Sequence, residues 1–186
     1  MEKGIKEKTL FVLKPDAVER GIIGEITQRV EKMGFRVIAA KILNASQELG
    51  QNHYPDSDEW KKNVGNRTIE DCKKYGINLL ENMGTEDPIE IGNMVKKWNV
   101  DYLCSGPVFA FVLEGFNAVE RLRSLVGHTV PTKANPGTIR GDFSLDSAIL
   151  ANMNGRAIHN LVHASGSVEE ANYEINLWFK PEEIVE

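Results

Sequence analysis

The distribution of apolar residues along the chain predicts four β-strands. Continuous apolar runs, which are typical of buried strands, occupy residues 9–13, 35–43 and 108–113. Turn-forming residues flank these runs, including a Gly-Pro pair before the third. A shorter run that contains His163 predicts the fourth strand.

Apolar positions three and four residues apart predict helices that alternate with these strands. One helix is predicted over residues 16–34 and a short one over residues 46–54. Another covers residues 117–126, and a final helix covers residues 168–179. The final helix begins after Ser167, because a serine followed three residues later by a glutamate has the spacing of a capping box.

Three longer stretches do not fit this simple alternation. Residues 55–104 are polar and charged, yet their apolar periodicity and the helix start at Asp87-Pro88 indicate a helical insertion. Residues 127–142 form a predicted long loop, which in a compact domain is more often functional than idle. Residues 143–156 have no regular pattern and are interpreted as irregular.

The order of these elements favours one fold class. A β-α-β-α-insertion-β-α-β-α order predicts an α/β (α+β) protein built on two β-α-β halves. We expect a ferredoxin-like, four-stranded antiparallel sheet with helices packed on one face. Residues 1–186 then form a single domain with an inserted helical segment at about 55–104.

Composition and charge exclude several classes of partner. Hydrophobic residues make up 41% of the 186 residues and the formal net charge is −5, so no extended nucleic-acid surface is expected. No apolar run is long enough to span a membrane, and the charged residues 1–8 lack the apolar core of a signal peptide. Cys72 and Cys104 form no C-x-x-C pair, which indicates a reducing compartment and a cytoplasmic protein.

The strongest chemical signal is a carboxylate in an apolar helical stripe. Glu174 lies three residues after Ala171 and four before Trp178, so it should face the core and needs a hydrogen-bond donor. His163 is the nearest candidate in the sequence, just before the start of the same helix. An imidazole oriented by a carboxylate and facing a helix N-terminus suits a nucleophile that accepts a phosphoryl group.

A metal pair is the alternative interpretation of this histidine. His159 and His163 have the i, i+4 spacing of metal-binding helical histidines, but Asn160 follows the first and no third ligand is evident. In a strand, four residues span about 13 Å, which is too far for one ion. The sequence therefore favours the phosphoryl acceptor over a zinc site.

Three separated motifs resemble the nucleoside diphosphate kinase family. Their joint order and spacing are specific, although each motif alone would be weak. A fourth, shorter match lies at Ser105-Gly106-Pro107-Val108. The three motifs are Phe11-Val12-Leu13-Lys14-Pro15-Asp16 followed by Gly21 and Gly24-Glu25-Ile26, Pro136-Gly137-Thr138-Ile139-Arg140-Gly141-Asp142-Phe143, and Asn160-x-x-His163-Ala164-Ser165 with Glu174 and Leu177-Trp178-Phe179.

The resemblance implies a ping-pong phosphotransferase that moves the γ-phosphate of a nucleoside triphosphate to a nucleoside diphosphate through a phosphohistidine. It implies His163 as the nucleophile, Glu174 as the group that orients it, and Ser165 beside the phosphoryl site. It also implies ATP and other nucleotides as substrates, Mg²⁺ carried by their phosphates, and a homo-oligomer (hexamer or tetramer). The implied phosphate and ribose contacts are Lys14, Tyr54, Arg123, Thr129, Arg140 and Asn160.

The chain departs from the family pattern in three places. Gly166 stands where the family usually has Asp. Residues 55–104 replace a short helical loop that carries the aromatic residue against the base, so that contact stays open between Trp98 and Val95. The stretch between Arg140 and Asn160 is also longer than usual.

A nucleotide-sensing module that kept the pocket but lost catalysis is the rival interpretation. The sequence keeps the candidate nucleophile, its carboxylate and all three basic residues, Lys14, Arg123 and Arg140. A loose phosphoryl-transfer transition state needs such distributed positive charge. We therefore expect an active enzyme.

Overall fold

One antiparallel sheet organises the protein, for which a computed structural model describes residues 6–185. Its strands are β1 (Lys6–Leu13), β2 (Arg36–Asn44), β3 (Pro107–Phe116) and β4 (Val162–Ala164). Their order is β2-β3-β1-β4, and each neighbouring pair is antiparallel. The four predicted strands are thus present, and the predicted ferredoxin-like sheet is confirmed.

Helices connect and flank these strands throughout residues 6–185, and none of the described helices is long and apolar enough to cross a lipid bilayer. Short 3₁₀ helices occur at Pro131–Lys133 and Pro181–Glu183. The α-helices are α1 (Pro15–Glu19), α2 (Ile23–Lys32), α3 (Gln47–His53), α4 (Asp58–Tyr75), α5 (Leu79–Met83), α6 (Pro88–Leu103), α7 (Ala118–Val126), α8 (Ile139–Phe143), α9 (Ala148–Met153) and α10 (Val168–Trp178).

The helices cover both faces of the sheet, so the expectation of helices on one face was wrong. Alternate residues of β1 point to opposite sides: Phe11 and Leu13 pack with α2 and α7, whereas Leu10 and Val12 pack with Trp178 of α10. The physical reason is already visible in β1, whose continuous apolar run leaves no polar face for solvent.

The predicted helix over residues 16–34 is two helices. Gly21 adopts a left-handed conformation with φ +68° and separates α1 from α2. Glycine has no Cβ, so it enters this region without steric strain and can break a helix whose apolar pattern continues on both sides.

The stretches predicted as loop and irregular structure contain short helices. Arg140 lies within α8, not in an open loop, because the Thr138 hydroxyl accepts the Gly141 N–H at 3.1 Å and caps that helix. Helix α9 forms in the stretch predicted to be irregular, with the Ser147 hydroxyl accepting the Leu150 N–H at 3.2 Å. Helices of five or six residues are too short to show apolar periodicity in the sequence.

Residues 58–103 form a helical unit in which α4 packs against α6. Asp87 caps α6 through two backbone N–H groups, as the sequence predicts. Two glycines bring the helix backbones into close contact. A Cβ at Gly65 would lie 1.9 Å from the Pro88 carbonyl oxygen, and one at Gly92 would lie 2.3 Å from that of Lys61.

The pairing of β4 with β1 decides where His163 points. His163 is directly opposite Val12, and paired residues of an antiparallel ladder project to the same face. Val12 packs on the α10 side of the sheet, so His163 faces that helix as well.

We predict that Gly65→Ala and Gly92→Ala each destabilise the protein, because a methyl group at either position would meet backbone that cannot move without separating α4 from α6. Overpacking of this kind costs about 2 kcal/mol or more, which lowers Tm by roughly 5 °C in a chain of this size. Thermal denaturation measures the effect. Gly24→Ala is the matched control, since its Cβ would meet nothing within 4 Å; equal Tm values for all three variants would contradict the packing.

Candidate active site

A histidine and a buried carboxylate form the centre of the candidate site. His163 Nε2 lies 2.8 Å from Glu174 Oε1, although the contact lacks the alignment of a linear hydrogen bond. Helix α10 packs on β1, the strand that pairs with β4, which explains how an acid in the apolar stripe of α10 reaches the imidazole of His163. The His163 side chain is 17% exposed and Glu174 only 1%.

The second oxygen of the carboxylate is also occupied. Glu174 Oε2 accepts the Ser165 hydroxyl at 2.6 Å, and the Ser165 oxygen accepts the Leu10 N–H of β1 at 3.2 Å. Burial raises the Glu174 pKa, while His53 and the Ser165 hydrogen bond oppose this rise. Ser165 therefore connects the buried acid to β1, an inner strand of the sheet.

The imidazole of His163 is neutral at physiological pH. Burial lowers its pKa well below the ordinary value, and the positive charges of Lys14, Arg140 and Arg123 lower it further. Because Nε2 faces Glu174, the nitrogen that can offer a lone pair to a ligand is Nδ1. This arrangement suits a nucleophile.

Lys14 is held beside the site by a chain of hydrogen bonds. Its Nζ donates to Asn160 Oδ1 at 2.8 Å, and Asn160 Nδ2 donates to the Thr129 carbonyl oxygen at 2.9 Å. Burial, with the neighbouring charge of Arg140, lowers the pKa of Lys14 to about 7. Near pH 7 part of the Lys14 side chain is therefore a neutral amine, which can gain a proton when an anion arrives.

Arg140 joins three backbone segments around the site. Its guanidinium donates to the carbonyl oxygens of Asn160 at 3.0 Å, Gly127 at 3.0 Å and Val162 at 2.6 Å. Burial, together with the charge of Arg123, lowers the pKa of Arg140 to about 10, so it remains a cation at neutral pH. The contact with Val162 fixes the strand immediately before His163.

Arg123 stands apart from this network, at the last turn of α7 and exposed to solvent. Its Nη1 lies 3.6 Å from the point that a Cβ of Gly166 would occupy. The Glu170 carboxylate fills the same space: its Oε2 accepts the Gly166 N–H at 2.7 Å, and a Cβ there would lie 2.3 Å from this oxygen. A side chain at residue 166 would therefore have to displace Glu170.

The remaining predicted residues are less firmly connected. The Tyr54 ring packs on His53 with ring centres 4.9 Å apart, and its buried hydroxyl has no partner within residues 6–185. Trp98 approaches Gly155, with 3.8 Å from its ring to a Cβ built there, and Val95 is half-buried. The choice between Trp98 and Val95 for the base stays a prediction.

Asp16 has a role that the sequence did not reveal. Asp16 Oδ2 accepts the Leu161 N–H at 3.1 Å, which joins the start of α1 to the residue just before β4. Leu161 has φ +68°, a conformation that costs a leucine free energy. Asp16 therefore holds a strained residue two positions before His163.

His53 and Tyr102 were also missed. The His53 ring lies 4.3 Å from that of His163, and the Tyr102 ring lies 5.2 Å from Lys14 Nζ on one side and stacks on His159 at 4.8 Å. Both come from the ends of helices distant in sequence from β4, so no local spacing could identify them.

A resident magnesium site does not fit the donor set. Within residues 6–185, one group of three potential ligands lies within 4.8 Å: His53, His163 and Glu174. Two of these are imidazoles, whereas Mg²⁺ prefers an octahedral set of oxygen ligands. His159, the other histidine considered for a metal, is engaged with Tyr102.

Comparison with known proteins agrees with this geometry. The family model for nucleoside diphosphate kinase matches residues 7–75 and 93–184. The internal segment between these two matches is shorter than the predicted insertion at about 55–104. A nucleoside diphosphate kinase of Pyrobaculum aerophilum is 48% identical over 97% of this chain and 98% of its own length. Nucleoside diphosphate kinase B of Bos taurus is 39% identical over 97% of this chain and 90% of its own length.

Solved structures give the same result. The crystal structure of an NDP kinase from Pyrobaculum aerophilum superimposes with a TM-score of 0.95 at 47% identity, covering 98% of this chain and 100% of that one. A transition-state mimic of the Borrelia burgdorferi enzyme, with bound vanadate and ADP, gives a TM-score of 0.76 at 34% identity over 97% of this chain and 91% of that one. The chain belongs to the nucleoside diphosphate kinase family, whose enzymes transfer phosphoryl groups between nucleotides.

Proposed function

We propose that His163 carries the phosphoryl group in the nucleoside diphosphate kinase reaction of this protein. The observation that supports this role best is the neutral imidazole, with Nε2 on a buried carboxylate and cations around it. The donor nucleoside triphosphate and the acceptor nucleoside diphosphate use the site in turn, as in a ping-pong mechanism.

In the first half-reaction, the lone pair of His163 Nδ1 attacks the γ-phosphorus. The bond from this phosphorus to the β–γ bridging oxygen breaks, and the bridging oxygen leaves with the nucleoside diphosphate. In the second half-reaction, a β-phosphate oxygen of another nucleoside diphosphate attacks the phosphohistidine and the N–P bond breaks. No external oxidant, reductant or water takes part.

The basic residues are assigned to charge stabilisation. A loose transition state spreads negative charge over the transferred phosphoryl oxygens, and fixed cations stabilise it. Arg140 has five N–H groups, three of which are used in the contacts to carbonyl oxygens, so 5 − 3 = 2 remain for phosphate. The nucleotide contacts that we propose are Lys14, Tyr54, Arg123, Thr129, Arg140 and Asn160.

Glu174 and Ser165 are assigned to orienting the nucleophile. Glu174 directs His163 Nε2, and Ser165 holds the carboxylate through its 2.6 Å hydrogen bond. Mg²⁺ belongs to the substrate in this proposal. Nucleotide phosphates supply oxygen ligands, whereas two of the three potential ligands in the protein, His53 and His163, offer nitrogen.

We also propose that the protein forms a homo-oligomer and works in the cytoplasm. Strand β2 is an edge of the sheet, and Ile42 on it is 63% exposed, a combination that favours burial against another chain. Cys72 and Cys104 are both free thiols, which suits a reducing compartment.

Incubation with γ-³²P-ATP tests the phosphohistidine. We expect an acid-labile, alkali-stable label on the wild-type protein and none on His163→Ala, because no other group replaces the Nδ1 lone pair. His159→Ala is the control, since that exposed histidine stacks on Tyr102 and should leave labelling intact. An unlabelled wild-type protein that still binds nucleotide would instead support a sensing module.

Lys14 should make nucleotide binding depend on pH. Its pKa of about 7 in the free protein rises when phosphate oxygens contact the ammonium, so binding takes up a proton above pH 7. Affinity for ADP should fall by up to about tenfold per pH unit above 7, which follows from one linked proton. Calorimetry at pH 8 in buffers of different ionisation enthalpy measures this uptake.

Lys14→Arg is the matched variant for this measurement, because arginine stays charged at every pH tested. We expect binding without the proton uptake that the wild-type protein shows. The same uptake in both proteins would assign the proton to another group and overturn the role of Lys14.

Light scattering tests the assembly. We expect a mass that is a multiple of 20.8 kDa, and a smaller mass for Ile42→Lys, because a buried ammonium would disrupt contacts along β2. The exposed Leu145, 91% accessible and outside the sheet, gives the control variant Leu145→Lys. A monomeric mass for the wild-type chain would contradict the proposal.

A further inference from the structure

A fully buried imidazole, that of His53, lies in contact with the ring of the proposed nucleophile. His53 ends α3, and its side chain is 0% exposed. Its ring meets that of His163 edge-on, with centroids 4.3 Å apart and planes at 78°. It also meets the Trp178 ring edge-on at 5.4 Å and 83°. The ring plane of His53 is therefore fixed by its neighbours.

Trp178 determines which nitrogen of His53 carries the proton. The indole Nε1–H donates to His53 Nδ1 at 3.3 Å, and a nitrogen that accepts a hydrogen bond carries no proton. Burial, with His163 close by, lowers the His53 pKa well below its ordinary value. His53 is therefore neutral, with its proton on Nε2.

This tautomer has a consequence for the buried acid. Glu174 Oε1 lies 3.5 Å from His53 Nδ1 and 2.8 Å from His163 Nε2. An unprotonated Nδ1 cannot donate to the carboxylate. The N–H available to Oε1 must then come from His163, while Ser165 already supplies the donor to Oε2.

We propose that His53 is a positioning residue whose tautomer, set by Trp178, reserves Glu174 for His163. The proton of His163 is thereby held on Nε2 and its lone pair on Nδ1, where phosphate arrives. The inference rests on the proposed role of His163 as the phosphoryl acceptor. If Trp178 did not occupy His53 Nδ1, this nitrogen could take a proton and compete for the same carboxylate oxygen.

Nitrogen-15 NMR of the histidine side chains in the full-length wild-type protein tests the tautomers directly. We expect an unprotonated Nδ1 at His53 and a protonated Nε2 at His163. The opposite tautomer at His53 would overturn the proposal without any variant. Labelling with γ-³²P-ATP in parallel reports separately whether His163 is the phosphoryl acceptor at all.

Kinetics of a double-mutant cycle test the competition. Trp178→Phe should move His163 toward its Nδ1–H tautomer and lower kcat by roughly tenfold with little change in KM, as expected for lost orientation at a reacting atom. His53→Phe/Trp178→Phe should recover most of that loss, because no competing donor remains. If His53 and Trp178 had only a structural role, the double variant would lose more kcat than Trp178→Phe does.

The same set of variants also controls for loss of packing. Comparing His53→Phe with the double variant gives the packing cost of Trp178→Phe without a competing imidazole, since phenylalanine keeps the edge-on ring contacts. Near-ultraviolet circular dichroism reports whether each variant keeps its packing. A double variant that is folded but no faster than Trp178→Phe would overturn the proposal.

Discussion

A single buried carboxylate constrains the rest of the site. Glu174 is 1% exposed, so its charge must be balanced by donors supplied from other elements. Ser165 and His163 of the β4 segment are the donors, and the His53 ring of α3 packs beside the same carboxylate. Charge burial thus specifies how α3, β4 and α10 must fit together, and the same contacts fix the direction of the His163 ring.

Hydrogen bonds within the protein hold two of the cations around His163 in place. Arg140 is tied to three carbonyl oxygens and Lys14 to Asn160, so the positive charges need little rearrangement when phosphate enters. Such preorganisation is the largest contribution to many enzymatic rate enhancements. Its cost is visible in the lowered pKa values of Lys14 and His163, which reflect burial beside other cations.

The sequence was sufficient to predict the features of the fold and the site that depend on a local residue pattern. Periodicity identified the four strands and Glu174 in an apolar stripe, and the family resemblance supplied Lys14, Arg140 and Asn160. The sequence could not reveal that Gly21 divides one predicted helix into two, because the apolar spacing continues on both sides of that glycine. His53 escaped notice for a different reason: its importance comes only from rings and a carboxylate brought together by tertiary packing.

The central claim is that Glu174 holds one nitrogen of His163 and leaves the other for phosphate. The most direct test is the position of the phosphoryl group in the isolated phosphoenzyme, read from ¹⁵N–³¹P coupling in the labelled protein. The geometry predicts coupling to Nδ1 of His163, because Nε2 lies 2.8 Å from the carboxylate oxygen. Coupling to Nε2, or a phosphate on any other residue, would contradict the account.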